Sequence, residues 1–367
     1  MKVLLIIGIK GHGGTTQHVA TLAKSLSKHA DVTVACNDGS WLAGELENTD
    51  IEVFKCRMPG SVINPATAMR LATLARERRF DIVHAHGELW AFYGHFASKF
   101  SRARMVSTCH SLIPGDLKWQ AKAALIVTVS NACSANYQAR GISASRIRVV
   151  HNGVPTSLCE IDRADCRQRI RREFGISKSA PFSIAVGRVS KLKGHDLFVG
   201  AAGRVCSSIP DARFAILGRR ILGAPETLEI DRIVEQYHLE STVIYPGHRH
   251  DMADIIAASD LLCVPSRLES FGQVVVESML IGTPVIVSNV GGLPEIVEDG
   301  ESGIIVPPDD VDALAEAMRS VLSDPGFADR LSKAGRQRAT AMFSSEAMAE
   351  IMMGIYREAI GMSRQAQ

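Results

Sequence analysis

Short runs rich in valine and isoleucine recur along this chain, and segments with helical spacing of apolar residues separate most of them. A strand, a helix and a further strand join as a parallel pair through a crossover, so this alternation specifies parallel sheets wound with helices, an α/β fold. In the first half the runs are "KVLLIIGI", "DVTVAC", "IEVFKC", "DIVHAH", "RMVSTCH", "LIVTVS" and "RIRVVHNG". The second half restarts with "FSIAVGR", "RFAILG", "TVIYPG", "DLLCVPS", "TPVIVSN" and "GIIVPP". Between the two sets, residues 156–180 are polar, carry charge clusters and end in "SKSAP", which reads as an interdomain connection.

A chain of 367 residues is long enough for two cores. The expected division is therefore a Rossmann-like domain over 1–155 and a second over 156–344, with a last helix, 345–367, free to pack back on the first. Residues 310–362 read as helices throughout. Two doubly wound domains bind ligands at the carboxyl ends of their strands, and so in a cleft between domains.

Composition limits the company such a protein keeps. The opening "MKVLLIIGIKGHGG" is too short in its apolar run for a signal peptide, and no stretch approaches the ~20 apolar residues of a membrane span. Eight cysteines lie scattered with no CxxC spacing. The cytoplasm is the compartment these features imply. Charge is uneven: residues 1–155 hold 18 Lys and Arg against 10 acids, and the remainder holds 23 against 29. The basic excess, concentrated in "RERRF" and "KFSRAR", suits an anionic membrane surface or a phosphate-linked lipid, and plain solubility equally. No nucleic-acid partner is expected.

The most informative stretch is "SRLESFGQVVVESM". Ser270 followed three residues later by Gln273 has the form of a capping box, and Gly282 closes the helix. Glu269 then lies outside the helix and Glu277 two turns within it. First-turn amides of Phe271, Gly272 and Gln273 would face a diphosphate, with the glycine admitting close approach. Flanking glutamates fit that picture as acceptors for sugar hydroxyls. The same spacing also fits a solvated helix residue and a favourable charge at a helix N-terminus.

"GRVSKLKGHD" offers cations, Arg188 just past a strand and Lys193 one short loop later, placed to offset charge on a leaving phosphate. A solvated basic turn is the alternative. "GIKGHGGTTQHV" places Gly11, Gly13 and Gly14 between a strand and a helix without the lysine of a triphosphate loop. Asp38 stands where a ribose-binding acid would, so an NAD-dependent oxidoreductase remains open from this half alone. Histidines gather at strand ends: His84, His86 and His110, and later His248 with His250. None has zinc-type spacing, so single imidazoles donating hydrogen bonds are expected, with His110 foremost, and no metal.

Taken together, "PSRLESFGQVVVESMLIGTPVIVSNVGGLPEIVEDGESGIIVPPDD", "GRVSKLKG", "VSNA", "HNGV", "GHGGTTQHV" and "DIVHAH" resemble glycosyltransferase family 4, across nearly the whole chain. The resemblance implies a GT-B fold, two Rossmann-like domains facing each other across a cleft, and retaining transfer from a nucleotide diphosphate sugar without metal or other cofactor. It implies that Arg188 and Lys193 hold the donor diphosphate, that Glu269 lies beside the transferred sugar and that Glu277 binds the ribose. Gly14 becomes the loop glycine near donor and acceptor, His110 the active-site histidine, and the amides of Phe271, Gly272 and Gln273 the phosphate cradle. Gln273 and Ser278 depart from the aliphatic residue and alanine more usual there. The implied reaction moves a hexose-type sugar, UDP- or GDP-linked, to a glycan or lipid-linked acceptor in cell-surface polysaccharide or glycolipid synthesis, at the inner face of the membrane. A nucleotide-sugar epimerase or hydrolase of the same fold is the alternative, ahead of the oxidoreductase.

Overall fold

The computed structural model of the chain describes residues 1–60, 62–113 and 115–362, and it divides into two compact units. Unit 1 is Met1–Pro155 joined by the chain from Phe343 onward; unit 2 is Thr156–Met342.

Unit 1 is built on a parallel sheet of β1 (Lys2–Ile6), β2 (Asp31–Asn37), β3 (Glu52–Cys56), β4 (Ile82–His86), β5 (Arg104–Cys109), β6 (Leu125–Thr128) and β7 (Ile147–Val149). Their order is β3-β2-β1-β4-β5-β6-β7. Strand order reverses between β1 and β4, and at such a switch point the loops beyond the strands part to leave a crevice. Val3 to Ile7, Val34 and Val83 are fully buried, as strands covered by helices on both faces must be.

The helix Ser345–Gly361 packs on the helix Gly14–Leu26 and on β5, with Tyr356 fully buried. The chain returns alongside Val154, whose amide donates to Phe343 O at 2.9 Å while Ser345 N donates to Val154 O at 3.0 Å. Gly153 is required there, because a Cβ would stand 2.7 Å from Ser345 Cα.

Unit 2 repeats the plan with β8 (Phe182–Val186), β9 (Arg213–Leu217), β10 (Val243–Gly247), β11 (Leu261–Val264), β12 (Val285–Ser288) and β13 (Ile304–Val306), ordered β10-β9-β8-β11-β12-β13. Its switch point lies between β8 and β11.

One segment departs from the sequence reading. Residues 156–180 are no linker; they hold the helix Arg163–Glu173, which belongs to unit 2. Its polarity misleads because it buries a charge: Arg171 is 2% exposed, with Nη2 2.7 Å from Asp260 Oδ2 and Nη1 on the carbonyls of Ser177 and Ala180. Among the described residues no helix is long and apolar enough to cross a membrane. All eight cysteines are free thiols, six of them buried.

Candidate functional site

In unit 2 the switch point brings together the loops after β8 and β11. The first loop carries Arg188, which is exposed, and Lys193; the second carries Glu269. Lys193 Nζ lies 2.6 Å from Glu269 Oε2, with the Ser266 hydroxyl 3.5 Å from the same oxygen. The two loops also touch through backbone: Gly194 adopts φ +66, and a Cβ there would fall 1.9 Å from Pro265 O. Only glycine meets both demands.

Arg267 fastens this arrangement. Its guanidinium grips Asp196 with both forks, Nη1 to Oδ1 at 2.8 Å and Nη2 to Oδ2 at 2.7 Å, and bonds Lys191 O at 2.7 Å. Its own amide donates to Leu192 O at 2.8 Å, and Nε reaches Asp309. Burial pushes the Asp196 carboxyl upward, and the Arg267 fork together with Lys191 more than reverses this, leaving it below the usual carboxylate range. Neither Arg267 nor Asp196 stands out in the sequence, because an arginine in a loop and an acid at a helix start are commonplace. The adjoining His195 is buried at the start of the helix His195–Cys206; burial first, and then Lys193, hold it down at about 4.

The helix after β11 runs Gln273–Ile281, and it corrects the capping box. Its N-cap is Gly272 at φ +106, with no side-chain cap, so Ser270 lies two residues too early. The first-turn amides are accordingly those of Gln273 and the residues after it, in place of a set starting at Phe271. Gly272 is demanded by backbone conformation and packing, since a Cβ would stand 2.6 Å from Leu293 Cδ2. Phe271 is buried, 2% exposed. As first residue of the helix, Gln273 points forward, its amide donating to Glu277 Oε1 at 3.3 Å. Glu269 outside and Glu277 inside the helix stand as the spacing predicted. An anion at this helix start would meet peptide dipoles, with Lys193 held in the adjoining loop.

In unit 1, the loop after β1 places Gly14 first in the helix Gly14–Leu26. Gly13 N donates to Thr16 Oγ1 at 3.0 Å, and that hydroxyl donates back to Gly13 O at 2.9 Å. A Cβ on Gly11 or Gly13 would meet nothing within 4 Å, so the protein itself leaves that side of the loop open. Asp38 sits exposed in the turn after β2.

His84, His86 and His110, expected as single imidazoles, form one cluster instead, while His248 and His250 pair with each other in unit 2 at 5.1 Å between ring centroids. His86 Nδ1 is 3.2 Å from His110 Nε2, and the rings stack at 5.5 Å. His18, from the helix Gly14–Leu26, lies edge-on to His110 with centroids 4.9 Å apart. His84 packs 4.2 Å from His86, its Nδ1 on Tyr356 Oη at 2.7 Å and its Nε2 on Thr108 Oγ1 at 2.6 Å. Burial drives these rings neutral, His18 to about 4 and His84 to about 3. His86 is also driven well below the ordinary value, first by burial and then by its neighbours. His18 is the residue that sequence reading missed. It is 66 or more positions from its partners, and only the return of β4 and β5 beside β1 brings them together.

Comparison with known proteins places these features. Residues 12–158 match the family described as Glycosyltransferase Family 4, and residues 167–338 match Glycosyl transferases group 1. The D-inositol 3-phosphate glycosyltransferase of Mycobacterium marinum is 30% identical over 87% of this chain and 72% of its own. A glycogen synthase of Mycobacterium tuberculosis is 31% identical over 82% of this chain and 74% of its own. Among solved structures, a glycosyltransferase of Rickettsia africae superposes with TM-score 0.87 at 22% identity over 99% of each chain. Anabaena HepE, solved with UDP and glucose, gives 0.86 at 23% identity over 98% of this chain and all of its own. Two wound parallel sheets, a glycine-capped helix beside a lysine and a glutamate, and relatives of this identity and coverage make the chain a member of the family 4/group 1 glycosyltransferases, with the GT-B fold.

Proposed function

We propose that this glycosyltransferase moves a hexose-type sugar from a UDP- or GDP-linked donor to a glycan or lipid-linked acceptor, with retention of anomeric configuration. The observation that carries this reading is the contact of Lys193 with Glu269 at 2.6 Å, beside the start of the helix Gln273–Ile281. A diphosphate seated on that helix start would draw Lys193 from Glu269 to its own oxygens, and Glu269 would then be free to accept hydroxyls of the transferred sugar. Arg188, exposed on the same loop, is the second phosphate contact, and Glu277 the ribose acceptor. Complexes of Anabaena HepE with UDP and UDP-glucose support a nucleotide-sugar donor here.

Catalysis in this reading needs no metal, because Arg188, Lys193 and the helix amides neutralise the leaving diphosphate. The leaving phosphate takes the acceptor proton while Glu269 positions the sugar. His110, at the end of β5, and Gly14 serve the transferred sugar and the acceptor from unit 1. A cytoplasmic enzyme, resting on an anionic membrane through the basic segments of unit 1, fits synthesis of surface polysaccharide or glycolipid.

The test is calorimetry with UDP and GDP beside transfer kinetics. Glu277→Ala should weaken nucleotide diphosphate binding by about 1.5–3 kcal/mol, the scale of a hydrogen bond to a charged group. Glu269→Ala should leave that affinity near normal and cut turnover, since positioning counts most in the transition state. Equal loss of nucleotide affinity in both variants rejects the division of roles. Turnover of donor without acceptor at the full rate makes the enzyme a hydrolase or epimerase, and transfer abolished by EDTA and restored by magnesium or manganese overturns the metal-free reading.

A further inference from the structure

Gln273, the first residue of the helix Gln273–Ile281, carries an unmet hydrogen-bonding group beside the place proposed for the diphosphate. Its side-chain Nε2 donates to Glu277 Oε1 at 3.3 Å, one turn further along the same face of the helix. A carboxylate only accepts hydrogen bonds, so the amide nitrogen has to face Glu277 and the amide oxygen has to turn the other way. That oxygen is buried and, among the described residues, has no hydrogen-bond partner. Buried polar atoms of this kind are rare in native proteins. An apolar side chain of the same length would fill a half-buried helix start without leaving one, so the amide is suited to meet a donor that the protein itself does not supply.

Few groups of a nucleotide sugar fit that oxygen. Ionised phosphate oxygens accept and do not donate, so a diphosphate on the helix start would bond backbone amides and Lys193 and would repel the amide oxygen. A group that donates, and that lies beside Glu277 one turn from the diphosphate, is a ribose hydroxyl. We propose that Gln273 is a specificity-determining residue of the donor site: its Oε1 accepts one ribose hydroxyl, its Nε2 holds Glu277 to accept the other, and the pair selects a ribonucleotide over a deoxyribonucleotide. The inference rests on the donor reading above, in which Glu277 is the ribose acceptor. Residues four apart on a helix stand about 5–6 Å apart at Cβ, and here the two side-chain ends already touch, so both acceptors reach one sugar ring. Tethering also limits the rotamers Glu277 would otherwise lose on binding, which pre-organises the site.

The experiment is calorimetry on the full chain with UDP and GDP, followed by the 2′-deoxy and 3′-deoxy forms of whichever binds more tightly. Each deoxy form should bind the unaltered protein on the order of tenfold more weakly than its parent, because each leaves one acceptor unpaired. Gln273→Met keeps the length of the side chain and removes the amide. In that variant the penalty for one deoxy form should fall to about twofold or less, while the penalty for the other, which reports Glu277, stays larger. A side chain that only packs would change the affinity for all three nucleotides by one factor, so an equal factor across the series overturns the proposal. The unaltered protein needs no variant to do the same: deoxy forms bound as tightly as the parent also overturn it. If neither UDP nor GDP binds, the donor reading fails and this inference with it; if a nucleotide binds and Gln273→Met keeps both penalties, the inference alone fails.

Discussion

The two units repeat one fold and stabilise its interior differently. Unit 1 buries its polar groups uncharged apart from Arg104, whose guanidinium donates to the carbonyls of Ala359 and Met362 at the end of the terminal helix. His84 lies between Tyr356 and Thr108, Asn37 donates to Met58 O and accepts from Met58 N, and Tyr137 donates to Gln120 Oε1. Unit 2 sets charges in partly buried pairs, of which only Arg171 is fully enclosed: Arg171 with Asp260, Arg267 with Asp196, Lys193 with Glu269. Neutral networks cost little desolvation and fix geometry locally. Charged pairs are expensive to desolvate and more expensive to break, but they can be exchanged for an anionic ligand. That difference suits the proposal that unit 2 receives a diphosphate.

The largest effect should come from breaking the one two-pronged pair of the three. Arg267→Ala leaves Asp196, 11% exposed, with only Lys191 as a partner, and should destabilise unit 2 by about 3–4 kcal/mol. Because the same side chain registers the Lys193 loop against the Glu269 loop, turnover should fall on the order of 100-fold. Arg267→Lys should recover little of either, since an ammonium cannot form the two-pronged grip. Calorimetric melting and transfer kinetics measure both losses. A variant with normal stability and turnover would show that the charged network of unit 2 is incidental.

A second effect depends on pH. His195 has an ordinary value of 6.5 and is held at about 4 by burial, with Lys193 adding to it. The unfolded chain therefore binds a proton that the folded one refuses. Stability from this site is complete above pH 6.5, declines as pH falls toward 4 and is lost below it, up to about 3 kcal/mol in total. His195→Asn should flatten the melting profile of unit 2 between pH 6.5 and 4. An unchanged slope would place the acid sensitivity elsewhere.

How much of this was legible beforehand differs between the units in the same way. The described strands announced themselves, most of them because strands buried on both faces are nearly continuous apolar runs, while the partly exposed β3 and β10 still carry β-branched and aromatic residues. The helix Arg163–Glu173 did not, because its inward face carries Arg171 and hydrophobic spacing cannot reveal a buried charge that is paired from 89 residues away. Ser270 and Gln273 satisfied a capping pattern that the backbone declined, since packing of Gly272 on Leu293 sets the start of the helix. His86 and His110 were visible as strand ends, but the addition of His18 required the order of β1, β4 and β5.

A smaller effect tests the neutral network. Tyr356→Phe removes the hydroxyl that meets His84 Nδ1 and keeps the ring, so unit 1 should lose about 1–1.5 kcal/mol, with no dependence on salt. Melting in low and high salt measures it. A loss that shrinks with salt would mean the terminal helix is held by charge after all.

The smallest effect closes the comparison from the other side. Lys28 reaches Glu346 at 3.2 Å, joining the same terminal helix to the turn after the helix Gly14–Leu26, but the two side chains are 59% and 47% exposed. Water already solvates both charges, and holding two long side chains in one geometry costs entropy that the attraction barely offsets. Lys28→Ala should therefore change the stability of unit 1 by no more than about 0.5 kcal/mol, and by nothing measurable once salt reduces the screening length to a few ångströms. Both variants belong in one melting series, because they touch the same helix and differ only in whether the contact is buried and neutral or exposed and charged. If Lys28→Ala costs more than Tyr356→Phe, the terminal helix is fastened by its surface ions, and the contrast drawn between the units fails for the element that binds the ends of the chain together.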